Sequence, residues 1–473
     1  MKTYFMTSKM KDKCQVIIIG AGMAGSSAAV HLYENGITDI LLLEARDRVG
    51  GRMHSIPYKG KILDLGAQWI TGVSPNNSVY NLATKLGIVK GDPRESEDET
   101  ANDQKYYPLS SRGTPISTKA HKIAKSIFEK FIYNIDNYYL RKDRNGGSIK
   151  DFFDQSVPSC VEEIVDENLP TLKKEVYNIL NGMLNVLRSY VGGEPDECSV
   201  DLFGTSIELP GGEMPVEGGV GQIVQSLVSF LPKDVVFLDS PVTKIDWSNP
   251  QNISVNIHDH EIKCNYVIST IPLGVLKSTH TTLFHPSLGE EKTLSIQRFN
   301  AGAVCKLFVE WDQPWWTPNF GGFLLSRGEE DYIGDWTDYV GDFNGVKNYS
   351  TLLLTWVVGK YSSIIDGIDE EEIIDGLMKL IWKYTGDPSI ERASRIIRHK
   401  WTLDPYTLGG YSFPGLSSNP EDMNILASSL PSEEEPSLLF AGDAACPDYW
   451  SYMHGARTSG LIAAEKIVGI SKN

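Results

Sequence analysis

Gly20-Ala21-Gly22-Met23-Ala24-Gly25 reads G-x-G-x-x-G, and a carboxylate, Glu44, follows nineteen residues after its last glycine. This spacing suits a dinucleotide. Gly20 permits a tight turn, Gly22 lets the backbone approach a pyrophosphate, and Gly25 lets helix and strand pack closely. The pyrophosphate would sit on a helix amino terminus, where unpaired N–H groups and the dipole favour negative charge. Glu44 would accept hydrogen bonds from a ribose diol and repel a 2′-phosphate. The run Glu44-Ala45-Arg46-Asp47-Arg48-Val49-Gly50-Gly51-Arg52 adds close backbone approach at Gly50 and Gly51. Arg46 or Arg52 can pair with phosphate, while Arg48 suits a solvated surface equally well. Lys306 stands among Val304, Cys305, Leu307 and Phe308, where a lysine needs a reason. Snorkelling outward from an edge strand is the plainer alternative.

The elements that must position these residues read as follows. Residues 15–19 form a buried parallel strand, a helix runs from 23 to 35, and a second strand spans 40–43, a β-α-β opening. Residues 92–104 are acidic and polar, a surface loop. Helical periodicity fills 116–187, with Pro158 and Pro170 as breakers. Residues 235–268 are strand-rich, alternating at Ile253, Val255 and Ile257, and 303–310 alternates similarly. A helix is expected over 370–384, a strand over 437–440 and a helix over 456–467. The expected fold is α/β: a Rossmann-like dinucleotide domain from residues 14–91, 208–290 and 395–470. An α+β substrate domain with a mixed sheet and helices takes 92–207 and 291–394.

Bulk properties exclude several functions. The 473 residues carry a formal net charge of −17, which disfavours nucleic acid and favours cationic ligands. Six scattered cysteines form no C-x-x-C pair, and the nine histidines show no metal spacing. No run of about 18 apolar residues suggests a membrane span. The amino terminus lacks a signal-peptide pattern, and Ser471-Lys472-Asn473 is a poor match to the peroxisomal tripeptide, so a cytoplasmic protein is expected.

Further segments join these in a recognisable order: Asp64-Leu65-Gly66-Ala67-Gln68-Trp69, Thr270 to Leu276, and Val304 to Phe308. Lys400-Trp401 with Asp404-Pro405-Tyr406, Gly409-Gly410-Tyr411-Ser412, Phe440-Ala441-Gly442-Asp443 and Tyr452-Met453-His454-Gly455-Ala456 follow. Together they resemble the flavin amine oxidase superfamily, on its polyamine oxidase side, across residues 16–467.

That resemblance implies a non-covalent FAD held by Gly20, Gly22, Ala24, Gly25, Glu44, Ala45 and Arg46 on the nucleotide side. Gly51, Arg52, Gly66, Ala67, Gln68, Trp69 and Val242 would continue the site. Trp401 and Tyr406 would lie against the isoalloxazine, near Gly442, Met453 and Asp443. Asp443 stands where the family has glutamate, one methylene longer. Lys306 would hydrogen-bond a water near flavin N5. Tyr411 and Tyr452 would be the two aromatic walls beside the reacting amine carbon, and these three are the expected catalytic residues. Trp69, Thr71, Glu194, Tyr411 and Tyr452 are the expected substrate contacts. Gly410 stands where monoamine oxidases carry the cysteine that bonds to flavin. Thr71 replaces a common His or Glu. A family carboxylate aligns loosely with Arg188, for which Glu194, Asp196, Glu197 or Asp201 could substitute.

The implied reaction is oxidation of spermine, spermidine or N-acetylated polyamines, with hydride passing to FAD. The products are an aminoaldehyde, a shorter amine and hydrogen peroxide, with O2 as acceptor and the protein a monomer or homodimer. An L-amino-acid or monoamine oxidase is the alternative, with Arg188 as a carboxylate anchor. A carotenoid desaturase-like enzyme or a non-catalytic flavoprotein is opposed by Lys306 and the tyrosine pair.

Overall fold

Val16–Ile19 and Ile40–Leu43 are short aliphatic runs buried along their whole length, and they pair in parallel with Val16 beside Ile40. The computed structural model describes residues 10–89 and 105–472, so the 92–104 loop lies outside the described residues. Three further parallel strands complete this sheet, in the order Leu438–Phe440, Tyr266–Ser269, Val16–Ile19, Ile40–Leu43, Val236–Phe237. One sheet therefore gathers strands from the start, middle and end of the chain.

The first helix, Met23–Glu34, closes on its strand through Gly25, where an added Cβ would lie 1.9 Å from the Gly20 carbonyl oxygen. The Met453–Lys472 helix crosses the first one equally closely. A Cβ on Gly460 would meet the Ala24 carbonyl oxygen at 2.2 Å.

A six-stranded sheet forms the second layer, ordered Arg395–Ile397, Val304–Glu310, Tyr349–Val358, Asp342–Val346, Phe320–Ser326, Lys105–Ser110. It is antiparallel except for the last pair, hence mixed. Val304–Glu310 is buried on both faces. Its period of two sends Cys305, Leu307 and Val309 into one core. Phe308 enters another with Leu63, Leu65 and Leu354. Lys306 shares the Phe308 side, facing the segment that begins at Leu63.

Helices Thr118–Asp136, Ile149–Ile164 and Pro170–Val191 cover the far side. Here one expectation needs correction. Pro170 starts a helix at a position where its missing N–H costs nothing. Pro158, however, lies inside Ile149–Ile164 and does not break it. A Ser148–Asp151 capping box and the buried stripe Ile149, Phe153, Val157 and Val161 hold that helix through the lost hydrogen bond. Among the described residues, no helix is long and apolar enough to cross a membrane.

Candidate active site

A cavity of about 1840 Å³ runs from the glycine turn, past Lys306, to a mouth beside the Thr118–Asp136 helix. A pocket for a drug-sized ligand occupies roughly 300–1,000 Å³, so this one has room for a long cofactor and a substrate together. All the sequence-predicted site residues line it except Gly25 and Glu194.

At the nucleotide end, the Met23–Glu34 helix begins at Gly22 with no side-chain cap and no acidic residue in its first turn. A Cβ on Gly22 would meet nothing within 4 Å, so the backbone there is open to a ligand. An uncapped, glycine-lined helix start fits a pyrophosphate. Glu44 is buried at the strand end, where its carboxylate accepts the Ala21 and Arg46 backbone N–H groups at 2.9 and 3.0 Å.

The three arginines divide their work. Arg46 is committed to carboxylates, with Nη2 2.7 Å from Asp404 and Nη1 3.7 Å from Glu44. Arg52 donates to both oxygens of Asp443 and to the Gly410 carbonyl. The shorter acid at 443 thus holds Arg52 in the cavity wall, helped by the Ser412 hydroxyl at 3.3 Å. Arg48 is no surface arginine: it donates to the Gly51 carbonyl at 2.9 Å, and burial, with Arg46 nearby, lowers it to about 10.

Farther in, Trp401 is buried, its Nε1 donating to the Leu65 carbonyl at 3.2 Å. Gly66 is required beneath it, since a Cβ would lie 1.9 Å from the Arg52 carbonyl oxygen and 3.1 Å from the indole. Lys306 is 2 % exposed and donates to the Asp64 carbonyl (2.7 Å), the Gly66 carbonyl (3.3 Å) and Gln68 Oε1 (2.5 Å). Burial pushes the amine down to about 7, with the Asp64 carboxylate opposing. Trp356, Trp69 and Phe308 surround its Nζ at 5.3, 5.7 and 5.0 Å from their ring centres.

Tyr411 donates its hydroxyl to the Ser189 carbonyl and packs on Gly192, where a Cβ would sit 2.5 Å from the ring. Tyr452 stacks on His454, ring centres 4.9 Å apart and planes 17° from parallel. Burial raises both phenols above their ordinary range. These rings supply flat apolar surface beside the buried lysine.

The mouth corrects another expectation. Glu194 does not line the cavity: it pairs with Arg188 at 3.0 Å and accepts the Lys360 backbone N–H at 2.9 Å. Arg188 in turn lies 4.3 Å from the Tyr339 ring centre, away from the cavity lined by its neighbours Leu187, Ser189 and Tyr190. Asp196, Glu197 and Asp201 are outside the lining as well. The carboxylates grouped near the end of the Thr118–Asp136 helix are Asp136, Glu208 and Glu213, beside Tyr133, Tyr139 and Tyr190. Burial and the Glu208 charge push Asp136 up to about 7, against a hydrogen bond from Tyr190. Burial also raises Glu213, which accepts a 3.3 Å hydrogen bond from Thr71. The run Glu208-Leu209-Pro210-Gly211-Gly212-Glu213, a turn bracketed by two acids, was the available sequence signal.

The chain is similar along its length to known proteins. The family model for flavin containing amine oxidoreductases matches residues 23–468. A Bos taurus peroxisomal N(1)-acetyl-spermine/spermidine oxidase is 26% identical, covering 96% of this chain and 94% of its own. An Arabidopsis thaliana probable polyamine oxidase is 28% identical over 97% of this chain and 99% of its own. A solved putrescine oxidase, redesigned in its cofactor binding, superimposes with a TM-score of 0.70 at 17% identity, covering 97% of this chain and 99% of that one.

The Asp136 carboxyl is neutral below about pH 7 and charged above it, so the mouth gains negative charge as pH rises. Affinity for a short aliphatic diamine should therefore climb roughly fivefold between about pH 6 and about pH 8. Calorimetry on Asp136→Asn should find the climb gone. A flat wild-type profile, or an unchanged climb in the variant, would remove Asp136 from the site.

Proposed function

The chain belongs to the flavin-containing amine oxidoreductase family, and on that footing we propose that it is a polyamine oxidase holding FAD without a covalent bond. The observation that carries the substrate choice is the mouth, where Asp136, Glu208 and Glu213 meet aromatic rings while Arg188 is neutralised by Glu194. A free amino acid would bring a carboxylate into that negative field. A polyamine brings ammonium groups and an apolar stem, which suit carboxylates and tyrosine faces respectively.

The cavity fits the cofactor. The uncapped helix at Gly22 would take the pyrophosphate, Glu44 the ribose, Arg52 the central polar portion, and Trp401 and Tyr406 the ring. When bound, FAD would supply the two-electron oxidation of the amine carbon, with O2 as final acceptor and hydrogen peroxide as product. Around it, Tyr411 and Tyr452 exclude water and align the stem. The mouth acids hold a distal ammonium, so that the reacting nitrogen can sit neutral in the dry interior. Lys306 lies inside, charged below about pH 7 and neutral above it. Hydrolysis of the resulting imine yields an aldehyde and a shorter amine.

Non-covalent attachment is supported by Gly410, where a Cβ would already meet Val304 Cγ2 at 3.0 Å, leaving little room for a cysteine. None of the six cysteines lines the cavity. Acid precipitation should release yellow FAD into the supernatant; flavin retained in the washed pellet overturns this attachment.

Lys306→Met keeps the apolar stem and should slow flavin reduction or reoxidation about tenfold or more, about 1.4 kcal/mol of barrier. Stopped-flow traces equal to wild type in both half-reactions would exclude Lys306 from the chemistry.

The substrate is tested with a peroxide assay across polyamines, N-acetylpolyamines, benzylamine and amino acids. A polyamine should show the highest kcat/KM. That value should fall with salt as the screening length contracts from about 10 Å at 0.1 M to about 3 Å at 1 M. A highest kcat/KM for an amino acid would overturn the polyamine assignment and leave the family membership standing.

A further inference from the structure

Asp404 does not line the cavity, yet residues from both of its ends converge on this carboxylate. Its Oδ1 accepts from Arg46 Nη2 at 2.7 Å and from the Tyr406 backbone N–H at 2.9 Å. Its Oδ2 accepts from His399 Nε2 at 2.7 Å. Beyond Arg46 lies Glu44, 3.7 Å away, and the guanidinium also stands 5.3 Å from the Tyr406 ring centre. Beyond His399 lies Trp401, the two ring centres 4.1 Å apart. Burial works against the charged form of Asp404, but the hydrogen bonds from His399, Arg46 and Tyr406 hold its carboxyl well below the usual carboxylate range.

We propose that Asp404 is a positioning residue that joins the ribose carboxylate Glu44 and the aromatic platform of Trp401 and Tyr406 into one mechanical unit. Binding at the nucleotide end and the setting of the ring end are then coupled through it. The physical reason is the pairing of one partly buried anion with donors from two segments, Arg46 and His399. Each charge-assisted hydrogen bond there is short and directional. A shift of Arg46 on ribose binding must move the carboxylate, and the carboxylate holds the imidazole against which the indole rests. The proposal rests on flavin binding and is independent of which amine is oxidised.

The test uses FAD titration of apoprotein, followed by flavin fluorescence, together with visible circular dichroism and the midpoint potential of the holoenzyme. Asp404→Asn keeps the shape and removes the charge. It should weaken FAD about tenfold and also alter the flavin dichroism and potential. Arg46→Gln cuts the nucleotide arm together with the guanidinium contact to Tyr406, so the decisive variant is His399→Gln, which cuts only the ring arm. Under the proposal each arm variant shifts both readouts, and Asp404→Glu partly restores them. If His399→Gln changes only dichroism and potential, the two ends are independent and the proposal fails. The same variant decides the matter if Asp404→Asn does not fold.

Discussion

A buried amine must find hydrogen-bond acceptors, and Lys306 finds three in one short stretch of chain. That requirement ties the mixed sheet, which carries Lys306, to the 64–68 segment beside the parallel sheet. The carbonyls of Asp64 and Gly66 and the amide of Gln68 all accept from this one amine. The same segment passes over Gly66, whose missing side chain admits the Trp401 indole. Removing a partner would leave a buried N–H donor unsatisfied, which costs more than the hydrogen bond itself contributes. The central wall of the cavity is thus built around a polar group that would otherwise be expensive to bury.

Charge is distributed unevenly along the cavity. Arginines near the nucleotide end are neutralised by acids of the protein itself, Arg46 by Asp404 and Arg52 by Asp443. At the mouth the acids outnumber their partners, and the field of one raises the proton affinity of the next, as Glu208 does for Asp136. A ligand cation entering there replaces protons that crowded carboxylates would otherwise keep. The formal net charge of −17 reinforces this only at long range and is screened by salt; the local cluster is not screened to the same degree.

The geometry of the glycine turn and its strand-end carboxylate was legible because its requirements are local. A glycine that must touch a carbonyl, as Gly25 touches Gly20, and a carboxylate at a strand end, as Glu44, are set by spacing within one β-α-β unit. Lys306 stood out because alternation buried it. Contacts between distant segments left no such trace. Arg46 and Arg52 look interchangeable in sequence, and only the fold assigns one to Asp404 and the other to Asp443, each more than 350 residues away. Glu194 failed as a cavity residue because Arg188, near the end of the Pro170–Val191 helix, holds its carboxylate in a buried ion pair. Asp136 was hidden at the end of a helix whose opposite residues pack the core. Pro158 misled because proline reports a missing hydrogen bond and says nothing of the packing that compensates for it.

The close crossing of the Met23–Glu34 and Met453–Lys472 helices has a consequence for biosynthesis. At about 5–20 residues per second, the ribosome needs roughly 20–80 s to make the chain that separates them. Through that interval the first helix lacks its long partner, and the parallel sheet lacks the Leu438–Phe440 strand at one edge. The nascent amino-terminal unit therefore exposes apolar surface and an unpaired strand edge for most of its synthesis. The parallel sheet is thus complete only once nearly the whole chain has been made.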